Sequence, residues 1–157
     1  MARETPATRA LIRAGATYTV VTYDYDPDAE SAGLQAAEAL GAPPARVLKT
    51  LMAEVDGRPV CAVLPSDQSL SMKRLAAAAG GKAARMMPPA DAERLTGYHV
   101  GGISPFGQKK RVPVLIEQAA LVETTVYLNG GQRGLQIEIA PDAARTALDA
   151  AAASLTD

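Results

Sequence analysis

Lys49 is the charged residue of an otherwise apolar strand register. Val47, Lys49, Leu51, Ala53 and Val55 share one parity, while Leu48, Thr50, Met52 and Glu54 on the other are mixed. Register therefore turns Lys49 toward the buried side, where an ammonium is costly unless it meets an anion or a polar pocket. One reading is a lysine that holds phosphate or an ester. The other is a lysine at the strand's start that snorkels to water. A second chemical signal is Gly101-Gly102-Ile103-Ser104-Pro105-Phe106-Gly107. Glycines let a backbone approach a ligand closely, and such a loop can turn several amides toward one oxygen. It is equally readable as a turn between strands. The basic run Lys109-Lys110-Arg111 follows it and could touch a phosphate backbone without reading bases, or simply be solvated.

A second glycine-rich turn, Asn129-Gly130-Gly131-Gln132-Arg133-Gly134, reads as a hairpin loop. Asn129 and Gln136 can still face a pocket as amide donors and acceptors, and Arg133 can add a phosphate contact. Tyr23 and Tyr25 share a face and either line a pocket or pack. His99 is the one histidine; a base role is conceivable, and an exposed turn residue is the plainer reading. Cys61 sits among Val60, Ala62 and Val63 and reads as a small buried residue. No His/Cys cluster has metal-ligand spacing, so neither a metal nor another cofactor is expected. No G-x-S-x-G elbow or Walker lysine loop is present, and scattered acids give no paired-carboxylate mechanism.

The elements that must position these residues follow from pattern. Thr5 caps a first helix with Pro6 at its start and Gly15 at its end. Thr17 to Tyr25 reads as a strand, and a helix is predicted over about Ala29 to Leu40, stopped by Gly41 and Pro43. Val47 to Val55 and Val60 to Leu64 form a hairpin about Asp56-Gly57. Ser71 opens a short helix, Ala83 to Met87 is a short strand, and Pro88 to Gly97 frames another helix. Val112 to Ile116, Thr124 to Leu128 and Leu135 to Ile139 read as strands. Pro141 begins a last helix with Ala144, Leu148, Ala151 and Leu155 on one stripe; the alanines at 150–153 favour its continuation. The order is not a strict β-α-β repeat, so a mixed sheet flanked by helices is expected.

Bulk properties set the class. The 157 residues suit one ordinary domain with a real core, and 48% hydrophobic content is globular. A net charge of −1 gives no global basic field, so nucleic-acid contact must come from a local patch and be salt-sensitive. One cysteine excludes an internal disulfide. The start, MARETPATRALIRAG, lacks an apolar signal core, and no stretch is long enough to span a membrane. A single cytoplasmic domain over residues 1–157 is the expectation, with neither membrane nor DNA as partner.

Several of these segments, in order along nearly the whole chain, resemble the YbaK/EbsC family, the prolyl-tRNA editing-domain superfamily. They are Val47-Leu48-Lys49-Thr50-Leu51, Gly80-Gly81-Lys82, Thr96-Gly97-Tyr98 leading into residues 101–110, and the turn over residues 130–135. Tyr23-Asp24-Tyr25-Asp26-Pro27 resembles the family's early tyrosine segment. The resemblance implies an α/β fold with a mixed, barrel-like β-sheet surrounded by helices. It implies a trans-editing aminoacyl-tRNA deacylase that removes cysteine from mischarged Cys-tRNA(Pro), with mischarged tRNA and prolyl-tRNA synthetase as expected partners.

By that resemblance the catalytic set is Lys49, Gly101, Gly102, Ile103 and Ser104. The substrate pocket is Tyr23, Ala32, Pro105, Asn129 and Gln136. The tRNA contact expected from local charge is Lys109, Lys110, Arg111 and Arg133. The chain departs from the family pattern where close relatives often carry Ser (Asn129), an acidic residue (Gln136), a pocket Phe (Ala32) and an early Tyr-x-His (Tyr23-x-Tyr25). These departures open an alternative, a deacylase for alanine, serine or threonine esters using water or a ribose hydroxyl. A non-catalytic tRNA- or synthetase-binding module is the third reading.

Overall fold

The structure is a computed structural model that describes residues 4–157. Met1 to Arg3, the start of the segment read as lacking a signal core, lie outside them. The first helix, α1 (Pro6–Arg13), is fixed at its start by a reciprocal cap. Thr5 Oγ1 accepts from the Thr8 amide (3.1 Å) and Thr8 Oγ1 accepts from the Thr5 amide (2.8 Å). The Thr5 hydroxyl also donates to the Gly130 carbonyl (2.6 Å), which ties α1 to the second glycine turn. Ala7 and Leu11 on its inner face are fully buried.

Among the described residues eight strands form two sheets. In the first, β1 (Tyr18–Thr22), β7 (Leu135–Ile139) and β6 (Val126–Asn129) lie in the antiparallel order β1-β7-β6. In the second, the order is β4-β2-β3-β5-β8. Here β2 (Leu48–Val55) and β3 (Arg58–Pro65) make the expected hairpin, with positive φ at both Asp56 and Gly57. The edge strand β4 (Ala84–Met86) pairs antiparallel with β2. On the other side, β5 (Val114–Glu117) runs parallel to β3, and β8 (Ala151–Ala153) parallel to β5. A bridge from Val47 to Tyr127 links the sheets. Helices α2 (Ala32–Leu40), α3 (Met72–Ala78), α4 (Pro89–Thr96) and α5 (Pro141–Leu148) complete the chain. The mixed, barrel-like arrangement is realised as these two linked sheets with helices around them.

Three expectations are corrected. First, β1 stops at Thr22. The Tyr23 amide still donates to the Gly134 carbonyl (2.9 Å), but residues 23–25 then leave the ladder. Second, α2 starts at Ala32, not Ala29, because Ser31 supplies the cap that accepts from the Leu34 amide (3.2 Å). Third, the last helix does not run to Leu155. Asp149 takes a left-handed φ of 51° and the Ala150 amide donates back to the Arg145 carbonyl (3.0 Å), closing α5. The alanines then form β8. Helix propensity is a weak prior, and pairing with a buried strand overrides it here.

Glu117 anchors that tail. It is only 4% exposed, and its carboxylate accepts from the amides of Ala119 (2.7 Å), Leu155 (2.8 Å) and Thr156 (3.3 Å). Glu117→Leu leaves those amides without an acceptor, so a loss of about 2–4 kcal/mol is expected. For a chain of this size that is roughly 10 °C in Tm. Thermal melting of the variant checks it, and an unchanged Tm would show that the carboxylate does not hold the tail.

Candidate active site

The first half of β2 forms one wall of a cavity of about 330 Å³. That size is at the lower end for small-molecule sites. Residues Leu48 to Met52 line it from the second sheet, and Asn129 and Gln136 from the first. The start of α2 contributes Ser31, Ala32 and Gly33; Tyr23 comes from the segment after β1; Val100, Gly101 and Ile103 come from the glycine loop. Met86, Met87, Pro89 and Ala92 close the apolar side. Lys49, Tyr23, Ala32, Gly101, Ile103, Asn129 and Gln136, separated by up to 113 positions in sequence, thus border one space.

Lys49 is half-buried, with Asp67 acting on its charge. Burial lowers its ammonium pKa from the ordinary lysine value, while Asp67 pulls it back up. Beyond its first residues β2 is covered on both faces: Met52 packs in one core cluster and Ala53 and Val55 in another. The one-sided register expected for this strand is therefore replaced by a strand whose second half is core and whose first half is cavity wall. Burial also raises the Tyr23 phenol pKa, reinforced by the Tyr25 phenol and opposed by the Gln136 side chain and the Gly134 backbone.

The glycine loop is held from three sides. Asn129 Nδ2 donates to the Gly101 carbonyl (3.1 Å), while its Oδ1 accepts from the amides of Gly131 (2.7 Å) and Gln132 (3.2 Å). The Arg133 guanidinium donates twice to the Val100 carbonyl (3.0 and 2.8 Å) and lies over the Tyr25 ring at 5.6 Å. The Tyr98 hydroxyl donates to the Phe106 carbonyl (2.6 Å). Gly101 sits at φ +89°, and a Cβ there would meet Tyr25 Oη at 2.8 Å, so this loop requires glycine. Within the described residues the amides of Gly101, Ile103 and Ser104 have no acceptor, whereas that of Gly102 donates to the His99 carbonyl (2.8 Å).

Other expected site residues lie elsewhere. The Ser104 side chain is fully buried and accepts from the Phe106 amide (3.1 Å), turned from the cavity. Pro105 borders a groove beside Ala10 and Arg13 instead. Lys109, Lys110 and Arg111 are exposed, and none lines the cavity; Arg111 pairs loosely with Asp149 (3.5 Å). Arg133 is engaged with the loop. His99 is exposed beside Glu93 (3.5 Å) and does not line the cavity. Cys61 is fully buried, and its thiol is pushed up to about 12 by burial, which rules it out as a thiolate nucleophile at neutral pH. Thr50 and the methionines 86 and 87 were not anticipated. Thr50 is adjacent to Lys49 on the strand singled out above, but nothing in their spacing points the methionines at a pocket.

Among the described residues no group of three or more His, Cys, Asp or Glu could hold a metal ion, and no helix is long and apolar enough to cross a membrane. The cavity lining holds one cation, two residues of the glycine loop whose amides have no acceptor among the described residues, and the side-chain amides of Asn129 and Gln136, with no carboxylate. Such a set can orient an ester and stabilise negative charge on its oxygen.

Comparison with known proteins finds aminoacyl-tRNA deacylases among the relatives. EbsC of Enterococcus faecalis, described as a Cys-tRNA(Pro)/Cys-tRNA(Cys) deacylase, is 42% identical over 108 residues, 68% of this chain and 66% of EbsC. The chain thus aligns with just under two thirds of that relative's length. The multifunctional Ser/Thr-tRNA deacylase ProXp-y of Escherichia coli is 33% identical over 100 residues, 61% of this chain and 58% of the relative. A crystal structure described as a trans-editing enzyme for prolyl tRNA synthetase shares the fold, with a TM-score of 0.85 over 99% of both chains at 22% identity. The sequence model of the aminoacyl-tRNA editing domain matches residues 26–147, and the chain belongs to that family.

Proposed function

We propose that this protein is a trans-editing deacylase that frees tRNA from a wrongly attached amino acid, with Cys-tRNA(Pro) as its main substrate. The observation that carries the reading is the single cavity shared by Lys49, the Gly101–Ile103 loop, Asn129 and Gln136. The aminoacyl ester on the terminal adenosine enters this cavity. The amides of Gly101 and Ile103 hold its carbonyl oxygen, and Lys49 holds the terminal phosphate or sugar. The lining holds no histidine, cysteine or carboxylate. The substrate therefore supplies the attacking group: the cysteine sulfur attacks its own ester carbonyl, the C–O bond to ribose breaks, and the thiol proton ends on the released ribose hydroxyl. The other product is a four-membered thiolactone, and the protein's part is orientation. EbsC's described activity and the likeness to proline–tRNA ligases (32% identical over 85 residues, 15% of the ligase of Acidithiobacillus ferrooxidans) support tRNA(Pro) and an association with prolyl-tRNA synthetase.

Asn129 and Gln136, neutral amides in the pocket, favour a second reading in which serine, threonine or alanine esters are cleaved by water or a ribose hydroxyl. A panel of tRNA(Pro) charged with cysteine, serine, threonine or alanine separates the two. The first reading expects fastest release of cysteine and loss of that release when the thiol is blocked. Equal release of blocked and free cysteine would discard thiol attack, and binding without turnover of any ester would discard catalysis.

A further inference from the structure

The lining of the cavity is graded by exposure. Leu48, Met52, Ala92 and Gln136 are buried, and Tyr23, Lys49, Gly101 and Asn129 are half-buried. The lining residues that stand exposed are Met86, Pro89 and Val100, and all three are apolar. Met86 and Val100 are each 45% exposed. Single exposed apolar side chains are ordinary on a protein surface, and Ile12, Leu34 and Val122 are of that kind, since none of them lines the cavity. Three that border one opening form an apolar rim, which is the kind of surface that marks a contact.

The rim is held in place by its own elements. Met86 ends the edge strand β4 opposite Ala53, and the following amide, that of Met87, donates to the Met52 carbonyl (3.1 Å). Pro89 opens α4, its φ fixed by the ring. Val100 is gripped at both main-chain groups: its amide donates to the Glu93 carboxylate (2.9 Å), and its carbonyl accepts twice from Arg133. A surface fixed in this way loses little conformational freedom when something covers it.

What covers it follows from the covalent order of the substrate, and so rests on the deacylase reading above. The ester sits inside, with Lys49 and the glycine loop. The body of a tRNA is far too large to follow, so its chain leaves through the mouth. The terminal adenosine is the first unit beyond the ester, and its base must pass the rim. A nucleobase has a flat π-face that stacks without regard to sequence, and a thioether makes favourable contacts with aromatic rings. We propose that Met86, Pro89 and Val100 form a platform for the face of the terminal adenine, and that this contact positions the ester over the glycine loop.

Two acceptor-stem minihelices test this, each charged with the amino acid that the wild type releases fastest from tRNA(Pro). One ends in adenosine; the other ends in the same ribose without its base. The wild type is expected to show a kcat/KM at least tenfold higher on the first. The Met86→Ala, Val100→Ala double variant is expected to lose about tenfold on that substrate, mainly through KM, and to show no such loss on the one without a base. Its Tm is expected to hold, because both side chains are exposed. A wild type that treats the two minihelices alike, or a variant that loses equally on both or on neither, overturns the platform and leaves the deacylase reading standing. A wild type that releases the amino acid from no charged tRNA or minihelix removes both.

Discussion

Lys49→Ala is expected to lower kcat/KM on the preferred aminoacyl-tRNA about a hundredfold, equivalent to about 2.7 kcal/mol of transition-state stabilisation. The ammonium is the cavity's one charge, and the change leaves in place the loop amides that the proposed mechanism uses, so residual turnover is expected. Folding should not suffer. Burial lowers the Lys49 pKa, which means the folded state binds its proton less tightly than the unfolded chain does. The charged form therefore costs stability at neutral pH. Wild-type stability rises as pH climbs through the lowered folded value toward the ordinary value of 10.5, and the alanine variant lacks that rise. Lys49→Met, which keeps the stem, should match Lys49→Ala in rate if charge is what matters. Unchanged rates on cysteinyl- and alanyl-tRNA(Pro) in both variants would remove Lys49 from the site.

Most elements of the fold were readable because their signals are local. The β2–β3 hairpin follows from Asp56-Gly57 between apolar runs, and α1 from Thr5-Pro6. The C-terminal alanines misled because propensity speaks for an isolated helix, while the partner strand β5 and the Glu117 carboxylate are 33 or more residues away. The site divides the same way. Lys49 was found through register, yet the register argument assumed one covered face, and β2 has two. Arg133 looked like a phosphate contact because arginine in a glycine turn is normally free; here it holds the Val100 carbonyl and covers Tyr25, a pairing across 33 positions. Asn129 entered as a pocket amide, and both ends of its side chain are engaged in joining the two glycine turns. Gln136 is the one amide of the pair left with a buried oxygen that has no partner among the described residues, a distinction that residue type alone does not make.

The loop that presents the free amides depends on Gly107 more than on its other glycines, and Gly107→Ala is expected to cost about 3–5 kcal/mol. Two effects add. Gly107 has φ +65°, where an L side chain is strained by about 1 kcal/mol. A Cβ there would also lie 2.2 Å from the Pro6 carbonyl oxygen and 2.6 Å from its carbon, both main-chain atoms. That backbone cannot step aside cheaply, because Thr5 caps the helix, its hydroxyl binds Gly130, and Ala7 and Leu11 are fully buried. Gly15 supplies the control. It has φ +69° with nothing within 4 Å of an added Cβ, so Gly15→Ala should show the conformational cost alone, about 1 kcal/mol. Denaturant melts of the two variants read the difference directly. Because the residue follows Phe106, whose carbonyl Tyr98 holds, displacement of α1 should also loosen residues 101–106 and reduce turnover below the melting range. A Gly107→Ala protein as stable as Gly15→Ala would mean that α1 does not brace the loop, and the preorganised amides would need another support.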